Sequence, residues 1–126
     1  MRLPVFPRIA AFAALFVVAL TAAAPRAEAH AVIVDSTPAV NATVAPGPLD
    51  VTLHYNSRID HLRSRLTLVG ADGVPHPIAI APDGAADIVA GRTADLAPGQ
   101  YRLRWQVLAV DGHLTRGDIP FSVKAP

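Results

Sequence analysis

His30 follows Ala27-Glu28-Ala29, which matches the A-x-A pattern that signal peptidase recognises. Cleavage after Ala29 would make His30 the first residue of the mature chain. An N-terminal histidine offers two nitrogens, the α-amine and imidazole Nδ1, which together can close a chelate ring on a metal ion. Because an α-amine has a pKa of about 8, a metal displaces its proton easily. The alternative is a cleavage site that happens to precede a histidine of no functional meaning.

The segment Asp111-Gly112-His113 places a carboxylate and an imidazole two residues apart near the other end of the chain. On an extended chain, residues i and i+2 project to the same face. A glycine between them lets the backbone bend close to a bound ion. The alternative is an ordinary turn in which Asp111 and Gly112 hold turn positions and His113 is exposed.

Taken together, His30, Asp111 and His113 supply an amine nitrogen, two imidazole nitrogens and a carboxylate oxygen. This set suits tetragonal Cu(II), the divalent first-row ion that such ligands bind most tightly. The chain has no cysteine, and its one methionine is Met1. The mature chain therefore has no sulfur ligand that would select Cu(I). In an unprocessed chain we expect His30 to lie near the other two residues, with the site incomplete.

The other histidines, His54, His61 and His76, are interpreted as surface residues, although a weak second metal site at Asp60 and His61 stays open. No serine lies in a nucleophile elbow, and the chain has no His-Glu-x-x-His segment and no phosphate loop. Residues 30–126 contain no glutamate, so only aspartate could do carboxylate chemistry. The sequence therefore predicts a metal-binding protein and no enzyme.

Residues 1–29 are predicted to be a cleaved signal peptide, with Arg2 and Arg8 ahead of an apolar run that is short for a membrane span. The alternative is an uncleaved N-terminal anchor. Removing them leaves a single domain, residues 30–126, with eight basic and nine acidic side chains and a net charge of −1. A near-neutral domain has no electrostatic footprint for nucleic acid. We expect a secreted monomer without membrane insertion, which folds on its apolar core without disulfides.

The mature region shows short alternating segments between Pro, Gly and Asp turns, and no helical period of ten residues. Tyr101, Leu103, Trp105 and Val107 share one face of the clearest strand, and Tyr101 follows Pro98-Gly99 as in a tyrosine corner. The pattern predicts an all-β, Ig-like sandwich with one helical turn within 58–65. Seven strands are predicted at 30–35, 49–55, 65–69, 75–80, 86–90, 100–107 and 117–123, with a loop at 41–48.

Taken together, these features resemble the CopC family of periplasmic copper-binding proteins over the whole mature chain. The resemblance implies a seven-stranded Greek-key sandwich or barrel, with Cu(II) held by His30, Asp111 and His113. It also implies a carrier or buffer in copper homeostasis or resistance that exchanges copper with a CopD-type partner in the inner membrane. The matching segments are His30-Ala31, Ser36-Thr37-Pro38-Ala39, Leu96 to Trp105, Val110-Asp111-Gly112-His113, Gly117 and Phe121-Ser122-Val123.

The chain departs from the family pattern at two points. Some members carry a methionine-rich Cu(I) segment, which the mature chain lacks, so it resembles the Cu(II)-only members. Many members also have a glutamate that supports the site, whereas Tyr55-Asn56-Ser57-Arg58-Ile59 has no acid at the corresponding place. Asn56 or Ser57 could substitute for it, since metal ligands need outer partners.

Two other functions fit parts of the sequence. An N-terminal histidine with a second histidine also resembles the copper brace of oxidative polysaccharide-cleaving enzymes. Against this, a domain of 97 residues offers little platform for a polymer, and the aspartate would occupy a position that oxygen chemistry needs. The other alternative is an Ig-like interaction module that binds no metal.

Overall fold

The computed structural model describes residues 30–126, so the predicted signal peptide lies outside the described residues. Eight strands and one short 3₁₀ helix, His61–Arg63, make up the regular structure of this part. No helix in residues 30–126 is long and apolar enough to cross a membrane. The strands are β1 Ile33–Thr37, β2 Thr43–Val44, β3 Asp50–Tyr55, β4 Arg65–Val69, β5 Pro75–Ile78, β6 Ile88–Arg92, β7 Gly99–Leu108 and β8 Leu114–Val123.

The strands form two sheets, one of three strands in the order β1-β3-β6 and one of five in the order β2-β8-β7-β4-β5. All pairings are antiparallel except that of β2 with β8. The predicted all-β sandwich is confirmed. The two-residue strand β2 lies within the segment predicted as a loop, and it brings the number of strands to eight.

The core lies between the sheets because the strands alternate as the sequence predicts. In β3, Val51, Leu53 and Tyr55 are at most 1% exposed, whereas His54 lies on the other face. In β7, Leu103 and Val107 are fully buried. Alternation with period two turns one face of each strand inward, and burial of that face drives the sheets together.

The predicted tyrosine corner is confirmed at the start of β7. The Tyr101 hydroxyl donates a hydrogen bond to the Ala97 carbonyl oxygen at 2.7 Å. Its ring stacks on Phe121 of β8, with the ring centroids 5.5 Å apart. This corner ties the crossover loop to the strand that leads to the candidate site.

Trp105 lies on the inward face of β7 but is only partly buried. Its ring meets the ring of Tyr55 edge to face, with centroids 5.7 Å apart. On its other side the ring lies against Gly117 of β8, where an added Cβ would come within 2.6 Å of Trp105 Cζ2. Gly117 thus makes room for the indole, so any larger residue there would force the ring to shift.

The first strand begins three residues later than predicted. Ile33 pairs with Tyr55, and the register shifts at a bulge before Asp35 pairs with His54. Residues ahead of Ile33 are held by a side chain, because the Val32 amide donates to Asn56 Oδ1 at 2.8 Å. The predicted strand therefore included residues 30–32, which precede the first residue that pairs with β3.

Tyr55 presents a buried polar atom, since its hydroxyl has no hydrogen-bond partner within residues 30–126. Burial raises the pKa of the Tyr55 phenol well above its usual range. We expect Tyr55→Phe to stabilise the domain by about 1 kcal/mol, because it removes an unpaired buried hydroxyl. Urea unfolding at neutral pH measures this difference, and a loss of stability would reveal a partner for the hydroxyl.

The same substitution changes the response to alkali. Above pH ~10 the unfolded chain loses the phenol proton, while the folded chain retains it because its pKa is raised. The native protein should therefore lose stability as the pH rises above this value. Tyr55→Phe should lose less over the same range.

Candidate metal centre

The β7–β8 hairpin presents Asp111 and His113 in its connecting turn. The two strands pair without interruption from Gly99–Val123 to Leu108–Leu114. The turn is closed by hydrogen bonds from the Ala109 amide to the His113 carbonyl and from the Gly112 amide to the Ala109 carbonyl, both 2.9 Å. Gly112 has a φ of 93°, a conformation that side chains disfavour. The glycine of the Asp-Gly-His segment is thus required by the turn itself.

Asp111 accepts two hydrogen bonds from His113. The His113 amide donates to Oδ1 and ring atom Nδ1 lies next to Oδ2, each at 3.0 Å. A proton on Nδ1 makes Nε2 the ring nitrogen that carries the lone pair. Nε2 of His113 is therefore the atom that could ligate a metal without disturbing this contact.

The pKa of Asp111 is lowered from its ordinary value. The largest cause is the hydrogen bond from the His113 backbone, followed by that from the His113 side chain, with smaller charge effects of His113 and His30. Hydrogen bonds to a carboxylate stabilise its charged form. Asp111 therefore remains an anion, as a metal ligand must be, at pH values where free aspartate begins to protonate.

His30 lies beside His113 although 82 residues separate them in the sequence. The two rings meet edge to face, with their centroids 5.4 Å apart. Two contacts anchor the segment that follows His30. Val32 exchanges hydrogen bonds with Asn56, at 2.8 Å through the side chain and 3.0 Å through the backbone, and the Thr115 hydroxyl lies 3.5 Å from the Ala31 carbonyl.

Asn56 is thus a positioning residue, because it fixes the segment next to His30. It stands in the stretch Tyr55 to Ile59, which lacks the acid of the family pattern. The suggestion that Asn56 supports the site stays a prediction, and it is compatible with the contact by which Asn56 holds the backbone of Val32. The contribution of Thr115 and Ala31 was missed, because the sequence alone does not show that β8 passes beside the N-terminal segment.

The donor chemistry of this group fits a copper ion, but the group is not yet a metal site as it stands. Within residues 30–126, no three His, Cys, Asp or Glu side chains are grouped closely enough to hold a metal ion. In the full chain, the nitrogen of His30 is a peptide amide joined to Ala29, and both Asp111 oxygens are engaged by His113. A complete metal site would therefore require a free amine at His30 and a rearrangement of the contact between Asp111 and His113.

The other histidines make structural contacts away from this group. Nε2 of His54 lies 3.0 Å from Asp87 Oδ2, and both side chains are less than half exposed. His61 Nε2 donates to the Ile88 carbonyl at 2.7 Å. Asp60 Oδ1 accepts from the Leu62 and Arg63 amides and caps the 3₁₀ helix. The structure therefore gives Asp60 and His61 separate structural roles and does not assemble a second site from them.

His76 lies exposed on β5, the edge strand of the five-stranded sheet. It pairs in register with Leu68 of β4, which pairs in turn with Leu103 in the middle of β7 and not with the residues next to the β7–β8 turn. Its position agrees with the prediction of a surface residue.

Comparisons with known proteins agree with the fold. A family model described as the CopC domain matches residues 33–124. Protein YobA of Escherichia coli strain K12 is 30% identical over 114 residues, which cover 88% of this chain and 92% of that protein. Copper resistance protein C of Xanthomonas campestris pv. juglandis is 33% identical over 115 residues, which cover 85% of this chain and 90% of that protein.

Solved structures show the same architecture. CopC from Methylosinus trichosporium OB3b superposes with a TM-score of 0.69 at 24% identity, covering 75% of this chain and 94% of that one. PcoC, a methionine-rich copper resistance protein from Escherichia coli, superposes with a TM-score of 0.61 at 27% identity, covering 76% of this chain and 100% of that one. Because the family model matches most of the chain and the curated relatives align along most of their length, this chain belongs to the CopC family.

Proposed function

We propose that this protein is a periplasmic Cu(II)-binding carrier or buffer that takes part in copper homeostasis or resistance. The observation that carries the proposal is the meeting of His30 with the Asp111–His113 pair, two parts of the chain that are far apart in sequence. Support comes from the membership in the CopC family and from a relative named copper resistance protein C. Copper is here the cargo of the protein.

The proposed ligands are the α-amine and imidazole of His30, the carboxylate of Asp111 and the imidazole of His113. For Asp111 to ligate, Oδ2 must exchange its contact with His113 Nδ1 for the metal. Nitrogen and carboxylate donors without sulfur favour Cu(II) over Cu(I). PcoC, whose solved structure is similar to this one, is described as methionine-rich, whereas this chain has one methionine, Met1.

Signal cleavage after Ala29 is part of the proposal, because it creates the amine. The mature unit would then be residues 30–126, acting as a monomer outside the cytoplasm and passing copper to or from a CopD-type membrane partner. If these four donors all bound the ion, they would occupy the positions that oxygen or a substrate would need. This argues for a carrier in preference to an enzyme.

Substitution of the ligands should separate the site from bystander histidines. His113→Ala and Asp111→Ala should each weaken Cu(II) binding by about 10-fold to 100-fold or more, since loss of even an outer-shell partner has effects of that size. Both residues lie in an exposed turn, so the thermal midpoint should change little. His61→Ala and His76→Ala serve as controls that should retain copper. Competition titration with a Cu(II) chelator measures all four variants. Loss of copper in a control with retention in His113→Ala would place the site elsewhere.

Copper binding should weaken steeply in acid, because the amine and both imidazoles must be deprotonated to ligate. Asp111 should contribute little to this loss between pH 5 and pH 8, since its lowered pKa keeps it charged throughout that range. Asp111→Asn removes one ligand and should therefore reduce affinity at every pH from 5 to 8. Affinity measured from pH 5 to pH 8 in both proteins tests this. Equal affinity of the two proteins across this range would show that the carboxylate is not a ligand.

A further inference from the structure

The surface beside the candidate copper site combines exposed apolar side chains with arginines. Leu62, Val110 and Leu114 are 88%, 68% and 47% exposed. Exposed apolar groups that cluster beside a functional site are typical of interaction surfaces. We call this surface the site shoulder, and define it by Leu62, Val110, Leu114, Arg58, Arg65 and Arg116.

The segments that carry the three apolar residues of the shoulder meet at the end of β7. Leu114 pairs with Leu108 at the last row of the β7–β8 ladder. On the other side of β7, the segment containing Leu62 is tied to the same residue, since the Asp60 amide donates to the Leu108 carbonyl at 2.9 Å. Val110 follows in the turn, and its amide donates to the Arg58 carbonyl at 3.1 Å. The segments that contain Leu62 and Leu114 therefore flank the end of β7, and Val110 lies in the turn that follows it.

The next row of the same sheet is basic. Gln106 of β7 pairs with Arg65 of β4 on one side and with Arg116 of β8 on the other. Directly opposed residues on adjacent strands have Cβ atoms about 5 Å apart, so the two arginines flank one glutamine. A cleft of about 410 Å³ opens here, and its charged lining residues are Arg65, Arg104, Arg116 and one acid, Asp118.

The acid of this cleft, Asp118, pairs with arginines other than Arg65 and Arg116. Asp118 pairs with Arg104 at 3.2 Å and with Arg102 at 4.0 Å. No ion pair engages Arg65 or Arg116 in the part of the chain that the structure describes. Within residues 30–126, the exposed guanidinium groups of Arg65 and Arg116 thus have no ion-pair partner.

We propose that the site shoulder docks an acidic, apolar-centred segment of the protein that exchanges copper with this chain. Carboxylates of the partner pair with Arg65 and Arg116, whose planar guanidinium groups match carboxylate geometry. An apolar side chain of the partner covers Leu62, Val110 and Leu114, while the adjacent turn presents Asp111 and His113. The role in copper exchange rests on the proposed function, whereas the binding surface stands on the residues alone.

The test uses the metal-free mature protein and two hexapeptides, each with a central Phe-Leu pair. One has two aspartates on either side of this pair and the other has two lysines. In an NMR titration, the acidic peptide should shift the amide signals of Leu62, Gln106, Val110 and Leu114, and the basic peptide should not. Binding should weaken as salt is added, since rim charges act through screened electrostatics.

Substitution should locate the charges that bind. Arg65→Gln/Arg116→Gln should weaken binding of the acidic peptide about fivefold, because exposed ion pairs contribute modestly. Arg92→Gln/Lys124→Gln makes the same change in net charge away from the shoulder and should leave binding unaltered. Leu114→Ser should also weaken binding and keep the thermal midpoint. Equal losses in the two double variants, or signals that shift elsewhere, would overturn the proposal.

Other occupants give distinguishable results. Sedimentation of the protein alone as a dimer that the arginine variants dissociate would identify a second copy of the chain and overturn the proposal. Binding to anionic phospholipid vesicles but not to the acidic peptide would also overturn the proposal, and it would identify a membrane surface as the occupant. Copper affinity is measured separately. If the native protein fails to bind Cu(II) and still binds the acidic peptide, the proposed function fails while the docking surface stands.

Discussion

A mature protein with one extra alanine before His30 is expected to bind Cu(II) at least about 100-fold more weakly than the protein that begins at His30. The extension converts the α-amine into an amide, which removes one ligand and opens the chelate ring with the imidazole. Loss of an outer-shell partner alone lowers metal affinity by about 10-fold to 100-fold, so loss of a ligand with its ring should exceed this. Competition titration of the two proteins, with their N-termini verified by mass spectrometry, measures the difference.

The control for this experiment keeps the amine and removes only the imidazole. His30→Ala, produced so that the substituted residue is the first of the mature chain, should lose imidazole ligation but retain the amine. It also loses one ligand and the chelate ring, so its affinity should fall by a similar factor. Because Ala31 and Val32 anchor the segment independently of the His30 side chain, neither change should affect folding. Equal affinity for the extended and native proteins would show that the N-terminal nitrogen is not a ligand.

Trp105→Ala is expected to cost about 3 kcal/mol of unfolding free energy, at the lower end of the range for large aromatic truncations in a core. The lower end applies because the indole is only partly buried, although it contacts Tyr55 on one side and Gly117 on the other. A small domain has about 5–15 kcal/mol of stability in total, so this loss is a large share. Urea unfolding and the thermal midpoint measure it.

Leu62→Ala provides the contrast for Trp105→Ala. Leu62 is a large apolar residue but is 88% exposed, so its truncation should change stability by less than about 0.5 kcal/mol. His113→Ala should likewise preserve stability, since the side chain lies in the exposed β7–β8 turn. If Trp105→Ala were as stable as Leu62→Ala, the indole would lie outside the core that packs between the two sheets.

The strand pattern was determined by local sequence. Strand β4 was predicted with its observed ends, and β7 was predicted to within one residue at each end, because an uninterrupted period of two leaves one choice of buried face. The tyrosine corner also followed from Pro98-Gly99 ahead of Tyr101. The pair Asp111 and His113 could be recognised as a unit because two residues in one turn need no tertiary contact to meet.

Contacts between distant segments were decided only by the tertiary structure. That His30 reaches His113 depends on β1 entering beside β3 and on Asn56 and Thr115 holding the residues next to His30. Periodicity cannot show such pairings, since it reports which face of a strand is buried and not which strand lies beside it. For the same reason the contacts of His54 with Asp87 and of His61 with the Ile88 carbonyl could not be read from the sequence. The sequence alone thus determined which residues could ligate a metal, while the order of strands in the two sheets decided which of them lie together.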